Sequence, residues 1–211
     1  ELRVYLSVII ISAFTIAFNC RGYFQTFGET VRHSFFQVGS IITTTGYSTT
    51  DFDLWPELSK TILLMLMFMG ACAGSTGGGI KVSRIIILLK SVVKEIMIAA
   101  HPKSTHKIRI NGRPLEHETM RSVNVFMVSY LVIYAVSLLI ISVDNLDFTT
   151  NFTAVAATIN NIGPGFAKVG ATCNFSVYSP LSLFVLTLDM LIGRLEIFPM
   201  LILLSPQTWK K

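Results

Sequence analysis

The stretch Thr43-Thr44-Thr45-Gly46-Tyr47-Ser48 decides how the rest of the chain is read. It lies between two strongly apolar segments and is itself polar, small and centred on a glycine. Held extended, such a piece offers a run of backbone carbonyls, oxygen ligands able to replace the hydration shell of an ion. Glycine suits its centre because the backbone there must reach conformations closed to a residue with a Cβ. Taken alone, the same string also reads as an ordinary polar turn.

A second copy tips the balance. Asn160-Asn161-Ile162-Gly163-Pro164-Gly165 again separates a short amphipathic stretch from a long apolar one, and Gly163 stands 117 residues after Gly46. Each unit reads as apolar segment, short semi-polar helix, glycine-centred turn, apolar segment. A repeat on this scale fixes the architecture before any other feature does. The implied fold class is all-α and integral to a membrane, with two membrane–pore-loop–membrane repeats.

Composition agrees. The 211 residues are 52% hydrophobic and 14% charged, against about 25% charged in soluble domains, and the mean hydropathy is +0.62. The formal charge of +5 then reports membrane topology or a partner, not nucleic acid, because the basic residues do not interleave with aromatic ones. Cys20, Cys72 and Cys173 form no framework, and a bridge between Cys20 and Cys173 is not expected. Glu1-Leu2-Arg3 lacks an initiator Met, and no cleavage-type motif follows the first apolar run. The expectation is a chain already inside the membrane region of a longer protein, not a signal peptide.

Taken in order, Val4 to about Cys20 is just long enough to span a bilayer, which needs about 20 residues. Residues 29–42 are too short and mixed to cross; they suit a half-membrane pore helix whose C-terminal dipole end faces a cation. His33 on that helix reads as a packing residue. Asp51, Asp53 and Glu57 form an acidic rim that either concentrates cations at a mouth or is a solvated loop, and Trp55 fits an interfacial anchor. A Met- and Leu-rich helix over 61–73 is then abruptly broken by the stretch Gly70-Ala71-Cys72-Ala73-Gly74-Ser75-Thr76-Gly77-Gly78-Gly79, where each glycine costs about 1 kcal/mol relative to alanine in a helix. Apolar helix resumes at Ile80 with Lys81 and Arg84 and runs to about Val93. One broken helix, its gap an intramembrane loop that can obstruct ions, is favoured over a flexible connector, since irregular backbone at membrane depth must be surrounded by protein or line a cavity. A phosphate-binding loop does not fit: Ile80 stands where lysine is required.

Residues 94–121 form the plainly soluble stretch. With Lys81, Arg84 and Lys90 just before it, this side carries nine of the seventeen Lys and Arg residues. The positive-inside rule makes 94–121 a cytoplasmic linker and turns both glycine segments outward. Asn111-Gly112 signals a tight turn that pairs the segment around Lys107-Ile108-Arg109-Ile110 into a hairpin. His101, His106 and His117 lack ligand spacing. The domain reading is therefore 1–93, a repeat with a broken second helix; 94–121, a basic linker; and 122–211, a second repeat. In that second repeat Val123–Val143 spans, Phe148–Asn160 is the pore helix and Leu181–Leu204 spans. The two sequons, at Asn151 and Asn174, read as chance. Asp189, Arg194 and Glu196 in the last span are functional candidates because charge at membrane depth is expensive, and Gly193 and Pro199 beside them suit a kink. Arg194 either faces the pore as a positive barrier or pairs with Glu196 or Asp189.

Four motifs, Thr44-Thr45-Gly46-Tyr47-Ser48, Gly74 to Lys81, Asn161 to Gly165 and Gly193-Arg194-Leu195-Glu196, together resemble the Trk/Ktr/HKT potassium transporter superfamily, specifically its bacterial TrkH-like pore subunits. The resemblance covers essentially the whole chain and matches repeats three and four of a pseudo-fourfold, potassium-channel-like pore. It implies a filter at Thr44, Thr45, Gly46, Tyr47, Asn161, Ile162, Gly163 and Pro164, with potassium held by the carbonyls of Thr44, Thr45, Asn161 and Ile162. It implies a gate made by Gly74, Ser75, Thr76, Gly77, Gly78, Gly79, Lys81 and Arg194. It also implies the N-terminal half of the same pore as partner, a homodimer of full-length subunits, and a cytoplasmic RCK-type ring that carries a nucleotide, with no cofactor in this chain. The setting implied is the lipid of a bacterial cytoplasmic membrane. The two segments depart from Thr-Val-Gly-Tyr-Gly, which leaves fewer equivalent carbonyl sites and keeps sodium beside potassium as cargo. The competing function is a coupled secondary cation transporter with its ion site at broken helices; the parallel repeat weighs against it. No constellation for a membrane enzyme is present in the sequence.

Overall fold

The computed structural model describes residues 1–75, 77–101, 109–110, 113–115, 117–195, 197–204 and 209. Two helices among them are long and apolar enough to cross a membrane. The first, α1 (Leu2–Asn19), has a mean hydropathy of 1.8; the other spans Glu118–Asp144, at 2.4. Leu6, Ile10, Val128, Leu131 and Leu139 on these two helices are exposed, a surface suited to lipid or further helices and costly in water.

Each long helix is followed by a short one. Helix α2 (Phe27–Ile42) packs on α1, and its N-terminus is set by a capping box in which Thr26 accepts from the Glu29 backbone and Glu29 reaches back to Thr26 N. That box satisfies two of the orphan amides of a helix start, so the helix begins two residues before the expected 29. Helix α3 (Glu57–Phe68) closes the unit against α1 and α2. In the second unit α5 (His117–Ile141) and α7 (Pro180–Arg194) enclose α6 (Phe148–Ile159), which is capped by Asp147. The contact between α3 and α6 joins the two units.

The break after α3 is ordered by pairing. Met69–Gly70 (β1) lies parallel to Ile80–Lys81 (β2), with Met69 opposite Ile80 and Gly70 opposite Lys81. The stretch expected to be helical to residue 73 therefore leaves the helix at Phe68, and α4 (Val82–Ala100) starts where the pair ends. Helix α4 runs through the expected boundary at 93 because its helical apolar pattern continues over Ile96 and Met97. Likewise α5 begins six residues before Val123. The hairpin exists, as Arg109–Ile110 (β3) against Arg113–Pro114 (β4); Lys107, Asn111 and Gly112 lie outside the described residues.

Two other readings change. The last span is not continuous: α7 stops at Arg194 and α8 (Phe198–Leu204) begins after a break at 195–197, with Pro199 in the first turn of α8, where its missing N–H is tolerated. Trp55 is a core residue, 4% exposed, and not a lipid anchor. Glu57 belongs to the start of α3, where it pairs with Lys60 at 2.5 Å. Cys20 is buried against Ser59, Cys173 is exposed, and both are free thiols. His33 stacks on Phe24 and bonds Thr49 at 2.9 Å.

Candidate functional site

The two glycine turns share a backbone pattern. Thr44 and Asn161 both adopt φ of 55°, and Gly46 and Gly163 follow at φ of 80° and 113°. In each, a short helix ends and the chain folds back on it: Thr45 N donates to Ser40 O at 2.9 Å, and Ile162 N to Ala157 O at 2.8 Å. One residue earlier, Thr44 N bonds Ile41 O at 3.1 Å and Asn161 N bonds Thr158 O at 3.0 Å. Every one of these pairs keeps the offset of 117 residues. A left-handed Thr is uncommon and worth an explanation; here the same twist recurs where the sequence repeats.

The turns also meet. A Cβ at Gly46 would overlap the Ile162 carbonyl oxygen and stand 3.3 Å from Pro164 Cδ, and one at Gly163 would lie 3.8 Å from Gly46 Cα. Thus Gly46, Ile162, Gly163 and Pro164 form one contact. Tyr47 points away and is 73% exposed.

The interrupted helix sits against the base of both turns. A Cβ at Gly78 would overlap the Asn160 carbonyl, one at Gly79 would come within 3.2 Å of Asn160 Oδ1, and one at Gly77 within 3.4 Å of Thr44 Oγ1. Gly70 is equally crowded by the Gly78 carbonyl. Gly70 and Gly78 are thus required by close approach of backbone to backbone. Gly74 and Gly79 add positive φ, at 88° and 78°. Ser75 N bonds Cys72 O at 3.1 Å and Val82 N bonds Ala71 O at 3.3 Å, so the break is a fixed turn, not a loose tether. Gly77, Gly79, Lys81 and Arg84 share a recess with Gly193 and Tyr130. Arg84 lies over the Phe126 ring at 3.9 Å. Arg194, the next residue after Gly193, ends α7 and is exposed; Thr76 and Glu196 lie outside the described residues.

A family model described as TrkH, cation transport protein, matches residues 11–211. The chain belongs to the TrkH cation transport protein family. It is 35% identical over 208 residues to the Trk system potassium uptake protein TrkH of Salmonella typhimurium, covering 99% of this chain and 42% of that protein. It is 36% identical to TrkG of Escherichia coli K12, with the same shares covered. The crystal structure of the potassium transporter TrkH from Vibrio parahaemolyticus superposes with a TM-score of 0.87 at 33% identity, over 99% of this chain and 44% of that one. The chain therefore spans less than half the length of the TrkH relatives it matches, and its helical fold is theirs.

Within this TrkH fold the structure ties residues read from the motifs to one that motif reading passed over, Tyr130. Tyr130 donates from α5 to Asn160 Oδ1 at 3.1 Å, and Asn160 Nδ2 donates to Ala156 O at 2.8 Å. Asn160 is thereby fixed where the second turn and the glycine loop touch. Asn161 Nδ2 bonds Met190 O at 3.0 Å, and Gly193 lets α7 approach, since a Cβ there would overlap the Ile159 carbonyl. Asp189, 2% exposed, accepts from Ser137 at 2.7 Å. The signal available in sequence was the spacing Phe126, Tyr130, Tyr134, one helix face of α5.

Proposed function

We propose that this chain is the C-terminal half of a cation uptake pore for potassium, with sodium as a lesser cargo, and that Gly46 and Gly163 are two of its filter glycines. The observation carrying this reading is the repeated backbone of the two turns, left-handed at Thr44 and Asn161 and at the glycines that follow, meeting at Gly46 and Ile162. Carbonyls of Thr44, Thr45, Asn161 and Ile162 would coordinate the dehydrated ion. Four such segments are needed around one axis, so two more come from an N-terminal half with the same repeat. Membrane potential, negative inside, drives entry by about 2.3 kcal/mol per charge per 100 mV.

The glycine loop over 74–79, with Lys81 and Arg194, is the gate in this reading. Its contact with Thr44 and Asn160 supports a barrier next to the filter, where small residues let backbone shift at low cost. The chain is read as lying in the bacterial cytoplasmic membrane with both turns outward. The basic 94–121 segment is proposed to dock a nucleotide-binding regulatory ring, an attachment that must then weaken as salt rises. A dimer of full-length subunits completes the reading.

The test is flux in vesicles reconstituted with the full-length protein. Gly46→Ser and Gly163→Ser should each lower the potassium-over-sodium ratio, and removing about four residues of the 74–79 loop should raise basal flux in the same assay. An unchanged ratio in both serine variants removes the filter assignment. Lower flux from the shortened loop in well-inserted protein moves the gate elsewhere.

A further inference from the structure

The loop that leaves the second glycine turn is held by its backbone amides. Gly165 N donates to Val169 O at 2.8 Å, Phe166 N to Thr153 Oγ1 at 2.9 Å and Lys168 N to Thr150 Oγ1 at 3.3 Å. The acceptors for those three lie within the second unit. The amide between them, Ala167, lies within electrostatic reach of the carboxylate of Asp53, which belongs to the first unit. Ala167 is left-handed at φ of 55°, a strained conformation for a residue with a Cβ that persists only where the surroundings over-determine it.

Three more contacts converge on this point. The Asp53 carboxylate occupies the space a side chain would need at Gly170: a Cβ there would overlap Oδ2 and lie 3.3 Å from Cγ. Phe52, fully buried, meets Phe166 edge-on with ring centroids 5.2 Å apart. Thr172 Oγ1 reaches Asp51 Oδ2 at 3.5 Å. The segment 51–53, immediately after the first turn, is thus wedged against the segment 166–172, immediately after the second.

We infer that Asp53 is a positioning residue for the second filter segment, holding Ala167 and Gly170 so that Gly163 to Gly165 keep their backbone, and that the outer ends of the two filter segments are locked to each other through it. This rests on the filter reading of Gly163. Glu57, Lys60 and Asp147 line the same recess as Asp53, so the wedge sits in a charged outer mouth and not in lipid.

The experiment compares Asp53→Leu, Asp53→Asn and Gly170→Ala with Gly163→Ser in the full-length protein, reading amide hydrogen exchange over 165–170 and the potassium-over-sodium flux ratio. Asp53→Leu removes the acceptor and should speed exchange there by about tenfold while lowering the ratio by about threefold or more. Asp53→Asn keeps an oxygen acceptor and should restore most of both. Gly170→Ala pushes the carboxylate away from the other side and should copy Asp53→Leu, which keeps the test alive if the leucine variant does not insert. Unchanged exchange in the leucine and alanine variants overturns the wedge, whatever the filter does. Faster exchange with an unchanged ratio, while Gly163→Ser shifts it, reduces Asp53 to a stability role and overturns the inference. A ratio unmoved by Gly163→Ser as well removes the filter reading, and the positioning role with it.

Discussion

Behind Gly46 the chain is supported mainly from α2: Ser40 Oγ donates to Tyr47 O at 2.5 Å, and Ser48 Oγ donates to Gln37 Oε1 at 3.2 Å and Thr50 O at 2.5 Å. Behind Gly163 the support is denser. Thr153, Thr150 and Val169 take successive amides, and Asp53 arrives from the other unit. The matched positions Ser48 and Gly165 record the difference. Ser48 is exposed, whereas a Cβ at Gly165 would stand 2.8 Å from Val169 Cγ2 and 2.9 Å from Thr153 Oγ1. The same backbone is therefore reached with two kinds of backing, one open and one packed, and the residue types diverge where the backing does. The helix ends teach the same lesson. The C-termini of α2 and α6 coincide at the repeat offset, while their N-termini do not, since α2 has 16 residues and α6 has 12.

If the second turn is the packed one, damage to its backing should be the most costly change in this chain. Gly193→Val forces a branched side chain into the Ile159 carbonyl and to within 2.9 Å of Asn161 Nδ2, counted from Cβ alone. The neighbour is backbone and cannot rotate away. We expect a loss of about 3 kcal/mol, the upper end for overpacking, seen as a lowered unfolding midpoint in detergent. Gly28→Ala, with nothing within 4 Å of its Cβ, is the control and should leave the midpoint unmoved. Equal midpoints for both would mean that α7 does not brace the second turn.

What was legible in the sequence follows from how far apart the deciding residues lie. The turns were readable because glycine, polar neighbours and a period of 117 residues are all local signals repeated once. The capping of α2 by Thr26 and Glu29 is equally local, and its S/T-x-x-E pattern was there to be read. Tyr130 with Asn160 and Asp53 with Ala167 are long-range contacts, and no pattern in either segment announces the other. Trp55 shows a different limit. An aromatic residue at the edge of an apolar run serves equally as lipid anchor or core, and only its packing, with 4% exposed, decides. The α7–α8 break was signalled by Gly193 and Pro199, but the glycine proved to serve the approach of α7 to Ile159.

A smaller test sharpens the contrast between the two backings. Thr153→Val keeps shape but deletes the acceptor of the Phe166 amide, which is buried. A buried amide left unsatisfied costs about 1–3 kcal/mol. Ser48→Ala removes a hydroxyl that donates to two acceptors on an exposed loop, and a surface change of this kind stays within about 0.5 kcal/mol. The same detergent midpoints measure both. If Ser48→Ala costs as much as Thr153→Val, the first turn is no less dependent on its backing than the second, and the division into open and packed fails.

The smallest expected effect concerns how α2 and α6 begin. Helix α2 starts at Thr26, whose hydroxyl cap carries no charge, whereas α6 starts at Asp147, which accepts from Thr150 N at 2.9 Å and Thr150 Oγ1 at 2.7 Å. The Thr150 hydroxyl, then the Thr150 amide, hold the Asp147 carboxyl below its ordinary value of 3.8. A depressed acid gives stability that is complete above the unfolded value and is lost as pH falls through the folded one. The cap of α6 should therefore weaken only in strong acid, below about 3.8, while the cap of α2 has no such dependence of its own at Thr26. Asp53 runs the other way: burial pushes its carboxyl up against the opposing pull of the Ala167 amide, so the fold binds that proton more readily and gains from it as pH falls. Asp147→Asn keeps a capping oxygen, costs less than the roughly 1 kcal/mol of losing a cap, and should flatten the acid limb of stability without touching the behaviour near neutrality. Hydrogen exchange of the Thr150 and Asn151 amides between pH 3 and pH 5 reads this directly, after correction for the intrinsic rate. An acid limb that survives in Asp147→Asn would place the titrating group elsewhere in the chain and make the two helix starts equivalent.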